Sequence, residues 1–167
     1  MIKTEQFAQL AKKLHIQFTD LHLLARAFTH RSFLNEHRNS GLEHNERLEF
    51  LGDAVLELVV TDFLYKNYPK KPEGEMTALR SALVNAQTLS EVALHLGLNE
   101  YLLLSKGEAK DTGRARQYIL ANTIEALIGA IYLDQGYESA QKFIDAHVHS
   151  LIQDVIEQKK FIDAKSK

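Results

Sequence analysis

Residues 119–133, ILANTIEALIGAIYL, form an almost wholly apolar run that is long enough for about four turns of helix. Because apolar residues occupy every face of such a helix, the run predicts a helix buried at the centre of the fold. Asn122 and Glu125 interrupt the run and lie one helical turn apart. A buried carboxylate needs a hydrogen-bond donor, a counter-charge or a metal ion. We therefore expect both side chains to belong to a functional site.

A second segment, residues 46–53 (ERLEFLGD), carries acidic side chains on one face of a predicted helix. Glu46, Glu49 and Asp53 are spaced i, i+3 and i+7, which places them within an arc of roughly 60°. Packed against the two polar residues of the apolar run, they would form a pocket lined only by oxygen atoms. Such oxygen ligands suit hard divalent cations, so Mg²⁺ is the expected ion and Mn²⁺ a possible substitute.

The same acidic residues also permit a structural interpretation. The three acids of residues 46–53 can form a solvated helix face, and Glu125 can pair with an arginine such as Arg80. Gly52 and Gly129 are expected to allow close packing of the two helices that carry them. Both interpretations remain open from the sequence.

Composition limits the class of protein. The chain has 167 residues, 45% apolar content, a formal net charge of −2 and no cysteine, which predicts one globular domain without disulfides or thiolate metal sites. It has no apolar span long enough for a membrane helix and no secretory signal pattern, so we expect a cytoplasmic protein without a membrane partner. The small net charge argues against a wholly basic nucleic-acid-binding surface, although it allows a local basic patch.

Helical periodicity extends over nearly the whole chain, and no β-type alternation competes with it. The sequence therefore predicts an all-α fold. We expect a polar loop over residues 105–116, and the predicted helices span about 4–15 (capped by Thr4), 20–28 (capped by Asp20), 44–67, 74–97, 119–133 and 138–159.

Four segments together resemble the endonuclease domain of the bacterial-type ribonuclease III family. The most specific is HNERLEFLGD at residues 44–53, and the others, in the same order as in the family, are THRS at 29–32, EGEM with the following LR at 73–80, and LANTIEALIGA at 120–130. The resemblance implies a homodimeric all-α nuclease. It would cut double-stranded RNA to 5′-phosphate and 3′-hydroxyl ends, in the processing of ribosomal and other RNA.

The resemblance also implies roles for individual residues. Asp53 and Glu125 would be catalytic, and Glu49 would join them as a metal ligand. Two further acids, Glu46 and Glu73, match positions that lie near the RNA and the cut, with a weaker claim to the metal. The resemblance places Phe50 in the dimer interface, although a core position is the alternative. Residues 1–157 would form the domain, and residues 158–167 would be a linker to a double-stranded-RNA-binding domain beyond this chain.

Asn122 departs from the family pattern, which has aspartate at that position. The amide keeps an oxygen ligand for a metal but lacks the charge. The main expectation is an active nuclease, and the alternative is a cleavage-impaired member that still binds double-stranded RNA. A third interpretation gives Asn122 only a hydrogen bond to a neighbouring backbone group or carboxylate.

The basic residues of the predicted 105–116 loop are candidates for RNA contact. Lys110, Arg114 and Arg116 would grip phosphates on either side of a minor groove. His30, by contrast, is expected to be a hydrogen-bonded structural residue.

Overall fold

The computed structural model describes residues 4–166, apart from the side chain of Phe161, and confirms the predicted all-α fold. Within these residues there is no β-strand, only an isolated bridge between Thr29 and Leu103. The helices are α1 (Glu5–Lys13), α2 (Leu21–Ala27), α3 (Arg31–Glu36), α4 (Glu46–Asn67), α5 (Glu73–Val84), α6 (Ala86–His95), α7 (Lys106–Lys110), α8 (Arg114–Gln135), α9 (Tyr137–His147) and α10 (Ile152–Lys165).

Helix α8 forms the centre of the molecule, as its apolar run predicts. It packs against α2, α4, α6 and α9, and Ile124, Leu127, Ile128 and Ile131 are inaccessible to solvent. Helix α4 lies along α8 and buries Leu56, Val60 and their neighbours on the side that faces it. Because these two long helices are rigid, their contact fixes the relative positions of the side chains at their edges.

Helix ends confirm one predicted cap and correct another. Asp20 accepts hydrogen bonds from the backbone N–H groups of His22 and Leu23, at 3.0 and 3.2 Å, as expected of an N-cap aspartate. Thr4 occupies the N-cap position of α1, but its side chain makes no capping hydrogen bond.

The prediction of one continuous helix over residues 74–97 is wrong, because the segment forms two helices, α5 and α6. The chain breaks at Asn85, whose backbone is extended at ψ 164° and whose side chain accepts a 2.8 Å hydrogen bond from the N–H of Thr88. Asn85 therefore ends α5 and caps α6. The predicted helix over 138–159 is likewise divided, into α9 and α10, by a 3₁₀ turn at His149–Leu151.

Three segments that were expected to be irregular, or were assigned no structure, contain helix. Helix α3 was not predicted, and α7 lies within the segment expected to be an irregular loop. Helix α10 continues to Lys165, so most of the predicted linker is helical. Its role as a linker stays a prediction, since helical segments also connect domains. No helix within residues 4–166 is both long and apolar enough to cross a membrane.

Candidate functional site

Helices α4 and α8 approach each other at a pair of glycines. A Cβ atom placed on Gly52 would lie 1.7 Å from the carbonyl oxygen of Glu125, and one on Gly129 would lie 2.4 Å from that of Leu48. Both distances are far inside van der Waals contact with backbone that cannot move aside. Only glycine allows this approach, which confirms the predicted close packing and brings the acidic face of α4 to the edge of α8.

The carboxyl groups of Asp53 and Glu125 meet at this crossing and share a hydrogen bond. Burial, followed by the hydrogen bond and the negative charge of Asp53, raises the pKa of Glu125 from its ordinary 4.5 to about 9. Glu125 is therefore the protonated partner at neutral pH and donates to the Asp53 carboxylate. Glu49 and Glu57 act on Glu125 in the same direction through their charges.

Glu49 completes the group of acids at the crossing. Burial, with smaller contributions from the charges of Glu46 and Asp53, raises the pKa of its carboxyl group. The suggested ion pair between Glu125 and Arg80 is absent: Arg80 donates instead from Nη1 to Thr61 Oγ1 at 2.9 Å, and no salt bridge involves Glu125 within the described residues. The structural interpretation of Glu125 as an arginine partner is wrong.

The fit of this cluster to a metal ion rests on its donor chemistry. Carboxylates held together without a counter-charge favour a proton or a cation, and hard divalent ions prefer such oxygens. Across residues 4–166, however, no three Asp, Glu or His side chains converge closely enough to hold a metal as they stand. Side-chain rotations of Glu49, Asp53 and Glu125 would be part of metal binding.

Asn122 lies one turn before Glu125 and is half-buried. Within the described residues its side chain has no hydrogen bond, so the expected purely local bond to backbone or carboxylate is not present. Its amide is free to contact a metal or a bound molecule. The assignment of Asn122 as a metal ligand stays a prediction.

The two outlying acids occupy different ends of α4. Glu46 begins the helix, lies 3.4 Å from Arg31 and 3.6 Å from His44, and acts electrostatically on Glu49. Glu73 begins α5, beyond the far end of α4, and accepts a 3.0 Å hydrogen bond from Thr77. Since the helix rises about 21 Å between Asp53 at the crossing and Asn67 at its end, Glu73 lies towards the other end of α4 from the crossing within one protomer. The positions of Glu46 and Glu73 near the RNA and the cut stay predictions, and within one chain only Glu46 acts on the acids of the crossing.

Phe50 is not a core residue. Its side chain is 83% exposed, and Leu58 and Tyr65, which follow on the same side of α4, are 58% and 72% exposed. We call these residues the apolar face of α4. The core alternative for Phe50 is therefore wrong, while its interface role stays a prediction.

Arg116 does not lie where an RNA-binding side chain is expected. It is only 8% exposed, and its guanidinium donates to Asn99 Oδ1 at 2.8 Å and to the carbonyl oxygens of Glu108 and Ala109 at 3.0 and 3.2 Å. It ties the end of α7 to α8, so the RNA contact predicted for it is corrected to a structural role. Lys110 and Arg114 are exposed and remain candidates.

The start of α4 is anchored by residues of the resemblance motifs. Asn45 is buried, donates from Nδ2 to the carbonyl of Ala27 at 2.9 Å, and bonds through its backbone to Thr29. His30 accepts a 3.1 Å hydrogen bond from the N–H of Ser32 and caps α3. Asn45 therefore anchors the start of the acidic helix, and His30 is a hydrogen-bonded structural residue at the start of α3, as expected.

The sequence analysis did not single out one exposed aromatic residue near the crossing. Tyr118, one turn before Asn122, is 48% exposed, and the guanidinium carbon of Arg114 lies 5.9 Å from its ring centroid. The signal was available in the i, i+4 spacing of Arg114, Tyr118 and Asn122. It was hidden because Arg114 was assigned to a loop.

Comparison with known proteins places this arrangement in a family. The family described as Ribonuclease-III-like matches residues 20–152, so the chain belongs to the ribonuclease III-like family. It is 49% identical over 152 residues to Ribonuclease 3 of Bacillus licheniformis, covering 91% of this chain and 61% of that protein. It is 43% identical over 164 residues to Ribonuclease 3 of Treponema denticola, covering 98% of this chain and 66% of that protein.

A solved structure shows the same fold. The nuclease domain of ribonuclease III from Campylobacter jejuni, described with a flexible region involved in dimer formation, superposes with a TM-score of 0.76 at 39% identity. The match covers 85% of this chain and 95% of that one. The chain thus spans about three fifths to two thirds of the length of its full-length relatives and nearly all of a nuclease domain.

Proposed function

We propose that this chain is a ribonuclease III endonuclease domain that cuts double-stranded RNA with the help of a divalent cation. The carrying observation is the hydrogen bond between the carboxyl groups of Asp53, which is exposed, and Glu125, which is half-buried like the neighbouring Glu49. A scaffold gains nothing from like charges brought together in a partly desolvated place, because that arrangement lowers stability. Membership of the family supports the substrate and the products, which would carry 5′-phosphate and 3′-hydroxyl ends.

The proposed ion is Mg²⁺, with Mn²⁺ as a substitute, held by Glu49, Asp53, Glu125 and the amide oxygen of Asn122. When bound, such an ion supplies charge neutralisation at the phosphate and a water of lowered pKa. The chain itself contributes the acids and their rigid backbone. Glu125 gives up its proton as the cation is taken up, so binding releases protons near neutral pH.

The proposed reaction belongs to the cytoplasmic processing of ribosomal and other RNA. We also propose that residues 1–157 form the nuclease domain and that 158–167 link it to a double-stranded-RNA-binding domain. The greater length of the relatives supports this arrangement. Among the candidate contacts, Lys110 and Arg114 remain proposed RNA ligands because both are exposed, and Glu46 is proposed to lie beside the RNA.

A cleavage assay tests the nuclease proposal against the binding-only alternative. The parent chain, Asn122→Asp and Glu125→Gln are incubated with a long RNA duplex in low salt with Mg²⁺, and Glu138→Gln, an exposed change on α9, is the matched control. We expect cleavage by the parent and by Glu138→Gln, and none by Glu125→Gln. If only Asn122→Asp cuts, the chain is a duplex-binding member disabled by its amide. Cleavage that survives both EDTA and Glu125→Gln would contradict the proposal.

Metal binding has its own measurement, independent of cleavage. Titration calorimetry with Mg²⁺ in two buffers of different ionisation enthalpy counts the protons released. We expect binding with proton release in the parent and in Glu138→Gln, and at least tenfold weaker binding in Glu125→Gln, which removes one anionic ligand. Equal affinity in all three chains would place the ion elsewhere.

We further propose that the chain forms a homodimer through the apolar face of α4. Phe50, Leu58 and Tyr65 supply a continuous exposed apolar surface, and self-association of one surface patch is the usual route to a two-fold dimer. A two-fold axis across α4 would bring the remote Glu73 of each protomer towards the other protomer's acidic crossing. The dimer of the Campylobacter domain supports this proposal.

Analytical ultracentrifugation tests the dimer. We expect Phe50→Ala to raise the dimer dissociation constant at least tenfold, because a large aromatic side chain at the centre of an interface contributes more than about 1.4 kcal/mol. Leu94→Ala, which truncates a 54% exposed side chain on α6, is the control and should leave the constant unchanged. Equal weakening by both changes, or by neither, would reject α4 as the interface.

A further inference from the structure

The polar face of α8 continues beyond the acidic crossing. Arg114, Tyr118, Asn122 and Glu125 lie within an arc of about 80°, because successive residues rotate by 100° around the helix axis. We call these residues the α8 stripe. The stripe carries a carboxyl group at Glu125 and a cation at Arg114, and its residues are exposed or half-buried on a helix that is otherwise largely core.

Tyr118 is the residue of the α8 stripe that the proposed chemistry leaves unused. It is 48% exposed, whereas the next two residues, Ile119 and Leu120, are buried. A single exposed aromatic residue is common on protein surfaces and needs no explanation by itself. Here its position is the informative feature: it is one helical turn, about 6 Å of rise, from Asn122 and about 10 Å from Glu125.

Arg114 holds the Tyr118 ring in place. The guanidinium carbon lies 5.9 Å from the ring centroid, within the range of a cation–π contact. The contact restricts a side chain that would otherwise rotate freely in solvent, so less entropy is lost when the tyrosine binds something. The ring also keeps the positive charge of Arg114 close to the stripe.

The electrostatics of α8 favour an anion at this end. The first turn of the helix contains no acidic residue, and the N-terminal end of a long helix carries partial positive charge. The acidic crossing, by contrast, repels phosphate until a cation is bound. A polyanion that reaches the crossing therefore needs an attractive contact nearby, and the Arg114–Tyr118 end of the stripe provides it.

We propose that Tyr118 binds the ribose–phosphate backbone of duplex RNA next to the bond that is cut, with Arg114 orienting its ring and neutralising a neighbouring phosphate. This inference rests on the proposed nuclease function. A tyrosine hydroxyl donates to phosphate oxygens and exchanges hydrogen bonds with the 2′-hydroxyl that distinguishes RNA from DNA. Tyr118 thus sets substrate affinity and position, and takes no proton in the reaction.

Removal of one hydroxyl is the sharpest test. Tyr118→Phe keeps the ring and its contact with Arg114, and Tyr137→Phe makes the same chemical change at the start of α9, at the opposite end of α8. We expect Tyr118→Phe to raise KM for a short RNA duplex about 3- to 10-fold, the loss expected for one hydrogen bond, with kcat within about twofold. Tyr137→Phe should change neither, and the thermal midpoint of Tyr118→Phe should equal that of the parent.

Tyr118→Ala and Arg114→Ala separate the two members of the pair. Tyr118→Ala should raise KM more than Tyr118→Phe, and Arg114→Ala should reduce the salt dependence of binding by about one unit of slope. Because the ring holds the arginine, the double variant should lose less than the sum of the single losses. A KM within twofold of the parent for both Tyr118 variants overturns the proposal, as does a loss confined to kcat and thermal stability.

Binding without cleavage distinguishes this proposal from the nuclease proposal. Fluorescence anisotropy with the same duplex compares Glu125→Gln with the double variant Glu125→Gln/Tyr118→Phe. A 3- to 10-fold weaker affinity of the double variant supports the Tyr118 contact even where the parent fails to cut, an outcome that rejects only the nuclease. Equal affinities, or no duplex binding by any of these chains, reject the Tyr118 contact.

Discussion

The α4–α8 crossing and the α7–α8 junction both remove charged groups from water, but they satisfy those groups differently. At the junction, the guanidinium of Arg116 is surrounded by the amide oxygen of Asn99 and two backbone carbonyls. At the crossing, Glu125 meets other acids, and its pKa rises to about 9. At the junction, amide and carbonyl dipoles of the protein stabilise the arginine charge. At the crossing, only a proton or a bound cation can reduce the repulsion between the acids.

The difference separates structural charges from functional ones. A buried charge with several hydrogen-bond partners stabilises its surroundings, whereas a cluster of like charges destabilises the fold and marks a binding or catalytic site. By this criterion Arg116 is structural even though its sequence neighbourhood is basic. The same criterion marks Glu125 as a candidate functional residue, even though its helix is the centre of the core.

The largest effect is expected where the crossing is tightest. Gly52→Ala would place a methyl group 1.7 Å from the carbonyl oxygen of Glu125, so α4 and α8 must separate. We expect a loss of about 3 kcal/mol or more in the free energy of unfolding, together with loss of RNA cleavage. Urea or thermal unfolding measures the first effect.

Gly74→Ala is the matched control for Gly52→Ala. Gly74 is exposed on α5, with no atom within 4 Å of a Cβ placed there. Because alanine favours the helix over glycine, this change should raise stability by up to about 1 kcal/mol. Similar effects of the two substitutions would show that close approach is not what holds the acidic residues together.

The junction predicts a contrast between two arginines that are two residues apart. Arg116→Ala should lower the free energy of unfolding by about 2–3 kcal/mol, because it removes three hydrogen bonds made by a buried guanidinium together with the packing of its side chain. Arg114→Ala, at an exposed position, should change stability by less than about 0.5 kcal/mol while weakening RNA binding. Equal stability losses would contradict the structural role assigned to Arg116.

Much of the fold was predictable because it consists of long helices, over which the helical spacing of apolar residues repeats many times. The apolar run of α8 and the amphipathic α4 are long, and length makes helical periodicity unambiguous. The breaks were harder to foresee. Asn85 has an intrinsic preference for a helix cap, but apolar residues continue at helical spacing on both sides of it. Helices α3 and α7 have six and five residues, too few to show helical periodicity, and each begins with a side-chain cap, His30 or Ser105.

The candidate site was predictable where spacing alone brings groups together. Glu49 and Asp53 share a face of α4, and Gly52 and Gly129 indicated the close approach of α4 to α8. Arg114 is exposed and Arg116 is buried because α8 begins at Arg114, and residues two apart lie on different sides of a helix. That start could not be read from the sequence, because Gly113 precedes α8 without a capping side chain.

The raised pKa of Glu125 makes the stability of the metal-free protein depend on pH. Between pH 4.5 and about 9 the folded chain keeps a proton on Glu125 that the unfolded chain has released, so the free energy of unfolding falls as pH rises through this range. Glu125→Gln removes this dependence. Discounted for the partial exposure of the group, we expect the variant to be more stable than the parent by about 2 kcal/mol at pH 8 in EDTA.

Unfolding in urea at pH 5 and pH 8 checks the sign of this effect. The advantage of Glu125→Gln should be several times smaller at pH 5, because that pH is only half a unit above the ordinary pKa of 4.5, and the unfolded chain gains little by releasing the proton there. Glu138→Gln serves as the control and should show no pH-dependent advantage. An advantage of Glu125→Gln that grows as pH falls would contradict the assignment of the proton to Glu125.

Asn122→Asp should affect stability less than Gly52→Ala, Arg116→Ala or Glu125→Gln, and it should also change the affinity for the metal. A further carboxylate one turn from Glu125 adds repulsion, so we expect a loss of about 1 kcal/mol in EDTA at pH 8. The added charge should tighten Mg²⁺ binding about tenfold, and saturating Mg²⁺ should therefore reverse the loss. Asn39→Asp, at an exposed turn, is the control and should leave both quantities unchanged. If Asn122→Asp destabilises the chain equally with and without Mg²⁺, the amide lies outside the metal site. The contrast between the hydrogen-bonded arginine of the junction and the acidic crossing then rests on Glu49, Asp53 and Glu125 alone.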